Sequence, residues 1–363
     1  MKLDIIAGAR PNFMKIGPII RQLKKFNDAH PAAPFQFRLI HTGQHYDRNM
    51  SDSFFEQLGI PEPDINLGAG SGTQASQTAQ IMIGYEKAIQ DWKPDTCIVV
   101  GDVTSTMACS IVAKKAGIKV AHVEAGIRSG DWSMPEEINR IVTDSITDYF
   151  FTTSEEANAN LLKAGHRQEQ IFYVGNTMID SLLDNIDRLR KPDFFDNALA
   201  GHPYIVLTLH RPSNVDDPEK LSALLDRIHD ALGDCRVLFP MHPRTRKIFD
   251  AIGRQYKQFN IVEPMSYLEF MFVVKNATGV VTDSGGITEE TTVLNIPCIT
   301  LRDSTERPET IRLGTNELVA DHNLIQGYIH QMISGDWKQA QPIKYWDGKT
   351  AERIVEALNN VRS

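Results

Sequence analysis

The run Val280-Val-Thr-Asp-Ser-Gly-Gly-Ile-Thr-Glu-Glu290 passes from an apolar stretch through a Ser-Gly-Gly turn into a helix start. Adjacent glycines let backbone N–H groups approach a phosphate, and a helix N-terminus adds partial positive charge. Ser284, Gly285 and Gly286 are therefore a candidate diphosphate site, and Glu290 in the first helical turn could accept hydrogen bonds from a ribose diol. A Gly-rich strand-to-helix turn with an acidic first turn would account for the same residues without a ligand. A second segment points the same way. Residues 3–7 are apolar, Gly8-Ala-Arg-Pro11 reads as a turn with Pro near the first helical position, and Ile16, Ile19, Ile20 and Leu23 recur at helical spacing. Arg10 and Lys15 thus flank a helix start. In a chain of formal charge −8, an anionic substrate needs such local cations, although each alone also fits an ordinary surface charge.

In parallel α/β sheets, ligands bind beyond the carboxyl ends of the strands. Those positions carry Asp102 after Val100-Gly101, Glu124 after Val123, and His210-Arg211 after Leu209. Any one of them could be a satisfied turn residue; three on one rim with two phosphate-like loops make a candidate site. Beyond Glu124 lies a loop with Gly126 and Gly130, then Pro135-Glu-Glu-Ile-Asn-Arg140. The acids can answer the helix dipole. In the functional reading, Glu136 faces the cleft as acid or base, Arg140 one turn on holds its carboxylate, and the two glycines let the loop move as a lid.

Strand and helix patterns alternate along the chain, which predicts an α/β fold of two Rossmann-like parallel-sheet domains with a cleft between them. Strands are expected at 3–7, 37–41, 96–100, 120–123 and 149–152 in the first half, and at 205–209, 237–240, 261–262, 278–282 and 298–301 in the second. The halves are expected to meet near 174–183, and residues 191–203 read as an irregular loop. At 363 residues, 42% hydrophobic and 23% charged, the chain has the composition of a globular protein too long for one core. No run approaches the ~18 apolar residues of a membrane span, no signal peptide is evident, and no nucleic-acid or membrane partner is expected. A cytoplasmic location follows. Cys97, Cys109, Cys235 and Cys298 sit singly, so reduced buried thiols are expected, with neither disulfides nor a zinc site.

Two decoys are set aside. Gly68-Ala-Gly-Ser-Gly72 lacks dinucleotide-fingerprint spacing and follows Pro61-Glu-Pro63 and a short stretch that reads as irregular; His41 and His45 are four apart but straddle Gly43 and lack the Glu of a zincin.

The segments G-A-R-P-N-F-M-K-I-G-P-I, T-G-Q-H-Y-D, G-D-V-T-S-T, H-V-E-A-G-I-R-S-G-D, P-E-E-I-N-R, G-N-T-M-I-D, L-H-R-P, T-D-S-G-G-I-T-E-E and R-D-S-T-E-R-P-E resemble the non-hydrolysing UDP-N-acetylglucosamine 2-epimerases, in order and across nearly the whole chain. The resemblance implies a glycosyltransferase-B fold: domains 1–174 and 175–350, and a last helix in 351–363 crossing back to the first. It implies a homodimer that interconverts UDP-N-acetylglucosamine and UDP-N-acetylmannosamine, with no cofactor and no metal. It assigns Arg10, Ser284, Gly285, Gly286 and Glu290 to the nucleotide, with Phe270 near the base, and sets Lys15, Asp102, Glu124, Glu136, His210 and Arg307 around the diphosphate and sugar. Met265 stands where Gln is usual, Pro212-Ser213 replace Arg-Glu, and the loop before Pro135 is short, which leaves the exact N-acyl sugar open.

The C2 proton is not next to a carbonyl, so UDP must leave before or with its removal. Elimination gives a 2-acetamidoglucal, and re-addition of UDP with protonation of the other face gives the epimer. That requires two proton-transfer groups and cations for the departed diphosphate. A hydrolysing relative releasing UDP and N-acetylmannosamine, a 2-epimerase of a related UDP-N-acyl sugar, a glycosyltransferase and a non-enzymatic nucleotide-sugar sensor are the alternatives. The family's activator site uses a Gln-His-x-Gln segment; here Gln44 and His45 are followed by Asp47, His242 is retained, and residues 68–77 contain no Arg, so a weak or absent activator site is expected.

Overall fold

A computed structural model describes residues 1–43, 59–199, 201–241 and 243–362. The chain divides into two compact units: Met1–Asp184 with Lys344–Ser363, and Asn185–Ile343.

In the first unit the order is β1 (Lys2–Ala7), α1 (Arg10–Ala29), β2 (Gln36–His41), β3 (Ile65–Asn66), α2 (Gln74–Ala88), β4 (Thr96–Val100), α3 (Thr104–Lys115), β5 (Lys119–Val123), α4 (Pro135–Ile146), β6 (Tyr149–Thr152), α5 (Glu155–Lys163), β7 (Ile171–Tyr173) and α6 (Thr177–Asn185). The strands form one sheet in the order β3-β2-β1-β4-β5-β6-β7, with every pairing parallel. β1 and β4 are buried along nearly their whole length, as a parallel sheet covered on both faces requires. On one face Val99, Cys97 and Ile6 pack with Ile81 and Tyr85 of α2 and Cys109 of α3. Burying an aliphatic side chain such as Val99 or Ile81 contributes roughly 1.5–3 kcal/mol.

The second unit runs α7 (Phe195–Leu199), β8 (Tyr204–Thr208), α8 (Pro212–Val215), α9 (Pro218–Asp230), β9 (Arg236–Pro240), α10 (Pro243–Ile252), β10 (Phe259–Val262), α11 (Tyr267–Lys275), β11 (Gly279–Thr282), α12 (Ile287–Leu294), β12 (Cys298–Thr300), α13 (Pro308–Arg312), β13 (Asn316–Leu318) and α14 (Ile325–Ser334). Its parallel sheet has the order β10-β9-β8-β11-β12-β13. Three short edge strands, β3, β7 and β13, were not expected, because two or three residues carry no readable periodicity. The stretch expected to be irregular contains α7, where Phe195 packs edge-on against Tyr204 and Phe272.

The division between units falls after Asp184 rather than after residue 174, and the returning segment begins at Lys344 rather than 351. The reason lies in α6. Ile179 and Leu182 are fully buried, and Ser181 donates to the carbonyl of Met14 in α1. Asp180 then accepts from the backbone N–H of Thr350 at 3.1 Å and of Ala351 at 2.7 Å, capping the last helix, α15 (Thr350–Val361). α15 buries Ile354, Val355 and Leu358, and it packs on α1. Among the described residues no helix is long and apolar enough to cross a membrane, and the four cysteines are buried free thiols.

Candidate active site

Each sheet reverses its strand order once, between β1 and β4 and between β8 and β11. Such switch points open a crevice at the carboxyl ends of the strands. Asp102 follows β4 there, and His210 and Ser284 follow β8 and β11.

At the first switch point, the turn after β1 is set by Asn12. Its Oδ1 accepts from the N–H of Gly8 and Ala9, at 3.1 and 2.9 Å, and its Nδ2 donates to Val100 O at 3.1 Å, tying the ends of β1 and β4 together. Arg10 begins α1, and Lys15, one turn on, donates to Glu124 Oε2 at 2.7 Å. Glu124 has φ 71°, the left-handed region that non-glycine residues seldom occupy. The N–H groups of Glu124 and Ala125 both donate to Phe151 O, so β6 holds this turn. Gly101 faces the pair: φ is 69°, and a Cβ there would lie 3.3 Å from Lys15 Nζ and 3.9 Å from Glu124 Oε2.

Asp102 is held by Arg140, whose Nη2 donates to Oδ2 at 2.5 Å, while Asn139 Nδ2 donates to the Asp102 carbonyl at 2.8 Å. The expected Arg140–Glu136 pairing is corrected here. Arg140 Nη1 binds Glu137 at 2.8 Å, and Glu136 is the half-buried neighbour on the first turn of α4. Glu137 also accepts from the Ser129 and Gly130 N–H groups, at 3.0 and 3.1 Å. Burial opposes its charge, but the Ser129 N–H, Arg140 and the Gly130 N–H together hold its carboxyl below the usual range.

The loop expected to move as a lid is anchored in this structure. Beyond Glu137's bonds to Ser129 and Gly130, Gly126 N donates to Asp144 at 3.1 Å, Gly126 O accepts from Asn160 at 2.9 Å, and Arg128 pairs with Asp144 at 2.7 Å. A Cβ at Gly126 would collide with the Ala157 carbonyl, so this glycine serves close packing. Buried His122 bridges the same framework, with Nδ1 2.7 Å from Asp144 and Nε2 2.8 Å from Gly101 O. Burial works against Asp144's charge, and His122 and Arg128 more than offset it, so its carboxyl lies below the usual range.

In the second unit the organising residue is Asp283, fully buried and immediately before Ser284. It accepts from the N–H of His210 and Arg211 at 3.0 and 2.9 Å, from Asn214 Nδ2 at 3.1 Å, and it faces His210 Nδ1 at 2.8 Å. Burial opposes its charge, but His210 first and then these N–H groups keep the carboxyl below the usual range. His210 is left over half exposed on its other side. A cavity of about 240 Å³ adjoins this loop, lined by Arg211, Asn214 and Arg302 among others.

The two turn glycines have separate reasons. A Cβ at Gly285 would lie 2.8 Å from Arg302 Nη1, which pairs with Glu306 at 3.0 Å, whereas a Cβ at Gly286 would meet open space. Ser284 N donates to Thr282 Oγ1 at 2.9 Å. Glu290 is buried on α12 and accepts from Tyr267 at 2.9 Å. Burial first, with Glu289 beside it, pushes its carboxyl up to about 7 against the Tyr267 hydrogen bond. Arg307 pairs with Glu289, and Phe270 lies half-buried on α11. Gln44, His45 and His242 lie outside the described residues. His41 ends β2 buried, accepts from Gly43 N at 2.7 Å and stacks on Phe13. The sequence reading missed Asn12, Glu137, His122, Asp144, Asp283 and Tyr267. Only Asp283 carried a usable signal, as the acid between an apolar strand and the Ser-Gly-Gly turn.

Two all-parallel α/β units, with seven and six strands, are of the glycosyltransferase-B class of fold. The family model for UDP-N-acetylglucosamine 2-epimerase matches residues 27–359. A UDP-N-acetylglucosamine 2-epimerase of Methanocaldococcus jannaschii is 43% identical over 374 aligned positions, which cover 99% of each chain. A UDP-2,3-diacetamido-2,3-dideoxy-D-glucuronate 2-epimerase of Pseudomonas aeruginosa is 36% identical over 99% of each. The crystal structure of the M. jannaschii enzyme in complex with UDP-GlcNAc and UDP superposes with a TM-score of 0.85 at 42% identity, covering 99% of this chain and 100% of that one. The chain belongs to the UDP-N-acetylglucosamine 2-epimerase family.

Proposed function

We propose that this chain, as a member of an isomerase family, reversibly converts UDP-N-acetylglucosamine to UDP-N-acetylmannosamine by eliminating UDP to a 2-acetamidoglucal and adding it back. The observation that carries the reading is the set Lys15–Glu124 and Arg140–Asp102 at the first switch point, two carboxylates each held by a cation where ligands of such sheets bind. Asp102, Glu124 and Glu136 are the candidates for moving the proton at C2. His210, with one ring nitrogen fixed by Asp283, would donate to the departing oxygen or bind phosphate. Arg10, Lys15 and Arg307 would stabilise the diphosphate, with Ser284 through its hydroxyl and Gly285 and Gly286 through their N–H groups forming the cradle, Glu290 the ribose contact and Phe270 a face for the base.

Turnover in deuterated water tests this. Each conversion should place one deuterium at C2, because a carboxylate proton exchanges with solvent, and the nucleotide should remain attached at equilibrium. Retention of the original C2 hydrogen ends the elimination reading; stoichiometric free UDP moves the chain to the hydrolysing class. The 36% identity to a UDP-diacetamido-glucuronate epimerase favours a second reading, the same elimination on a differently substituted sugar, which parallel assays on both substrates separate. The resemblance also supports a cytoplasmic homodimer, for which light scattering should give twice the mass of one chain.

A further inference from the structure

Tyr267 opens α11, and its position is set by a capping box: Ser266 Oγ accepts from Glu269 N at 3.4 Å while the Glu269 carboxylate accepts from Ser266 N at 3.2 Å. From there the phenol crosses to α12 and donates to Glu290 Oε1 at 2.9 Å. Among the described residues Glu290 Oε2 has no hydrogen-bond partner, although the residue is only 5% exposed. Burial, and after it the neighbouring Glu290 charge, raises the Tyr267 hydroxyl far above its ordinary range, so it remains a donor at any working pH. One carboxylate oxygen is therefore occupied and oriented by the protein, and the other is left for a ligand.

We propose that Tyr267 is a positioning residue that makes this site selective for a ribonucleoside over a 2′-deoxyribonucleoside diphosphate, by holding Oε1 of Glu290 so that Oε2 accepts from the ribose 2′-hydroxyl. The inference rests on the reading of Glu290 as the ribose contact. An accessible carboxylate oxygen that the protein leaves unoccupied can accept from a substrate hydroxyl, and a site built around that hydroxyl rejects the analogue lacking it. Tyr267 does not touch the reacting atoms. Its effect passes through the orientation and ionisation of Glu290. The groups facing Glu290 are Tyr267 from α11 and Glu289 beside it on α12, with Arg307 at the start of α13 paired to Glu289.

Calorimetric titration with UDP and 2′-deoxy-UDP over pH 6 to 8, on the unaltered protein, Tyr267→Phe and Glu290→Gln, tests the proposal. Both nucleotides carry the same titrating phosphate, so the ratio of their affinities isolates the sugar contact. The unaltered protein should prefer UDP by roughly tenfold or more, a preference that grows with pH as Glu290 gives up its proton. Tyr267→Phe keeps the ring and should cut the preference several-fold and move its rise to higher pH, because a hydrogen bond that favours the charged form is gone. A preference and pH course unchanged in Tyr267→Phe, together with loss of preference in Glu290→Gln, overturns the role of Tyr267 and leaves the ribose reading intact. Glu290→Ala, titrated alongside and lacking any side-chain acceptor, overturns the ribose reading itself if it retains the full preference. Should Tyr267→Phe not fold, a pH-independent ratio in the unaltered protein also overturns the proposal.

Discussion

Lys15 and Glu124, which are 109 positions apart in the chain, meet at 2.7 Å across the first switch point. Glu124 reaches its partner from a left-handed backbone, and Gly101 leaves the room for it. Carboxylate and ammonium thus lie together where the strand order reverses.

If these acids carry the proton transfers, Asp102→Asn, Glu124→Gln and Glu136→Gln should each lower turnover by about a hundredfold or more while UDP affinity stays within a few-fold. Initial rates by NMR and UDP titration by calorimetry provide both numbers. Near-normal turnover in all three variants would end the acid/base assignment.

Arg140 has a double duty that a lysine cannot take over, because its fork serves Asp102 and Glu137 at once. Arg140→Lys should lose most activity. Arg140→Ala should in addition destabilise the first unit by ~3 kcal/mol, since Glu137 would keep a buried charge without its cation. Urea unfolding reads the second effect, and an unchanged midpoint would contradict it.

The nucleotide cradle makes a separate demand. Gly285→Val would drive a side chain into the Arg302–Glu306 pair, and it should weaken UDP binding tenfold or more, as should Arg10→Ala. Unchanged calorimetric affinity in both would refute the cradle.

Glu290 sets a pH dependence of stability with a definite sign. Its carboxyl sits near 7 in the folded chain, against 4.5 as its unperturbed value, so the folded state holds a proton that the unfolded state has released. Its stabilising contribution is complete below about 4.5 and is lost as pH rises through 7. Glu290→Gln should therefore raise the melting temperature of the ligand-free protein at pH 8, by about 3 °C or more, with little change at pH 4. Glu137, Asp144 and Asp283 have the opposite sign, contributing above the ordinary carboxylate range and losing that contribution as pH falls below it. A Glu290→Gln variant no more stable than its parent at pH 8 would exclude a strained buried carboxylate.

The activator expectation is tested with purified UDP-N-acetylmannosamine alone. Asp47 stands where an amide is usual and residues 68–77 lack an Arg, so conversion should begin without a lag. A long lag removed by trace UDP-N-acetylglucosamine would show that the activator site is intact.

Much of this architecture is legible in the order of residues alone. Apolar runs alternating with helical periodicity predict parallel sheets, and the residues closing those runs, Asp102, Glu124, His210 and Ser284, fall at strand ends because strand geometry puts them there. The adjacent glycines at 285 and 286 mark a close backbone approach for the same local reason. What tertiary structure alone decides is the partners. Glu136 and Glu137 are both within reach of Arg140 on a helix, at four and three residues, and the N–H groups of Ser129 and Gly130 together with the Ser129 hydroxyl hold Glu137 for it. The same bonds anchor a loop whose glycines read as hinges. Asp283 holding His210, Asp180 capping α15 and Tyr267 occupying one oxygen of Glu290 join segments distant in the chain. Local sequence encodes backbone periodicity and turn geometry, but a hydrogen bond between remote side chains exists only once packing has brought both groups out of water and into register.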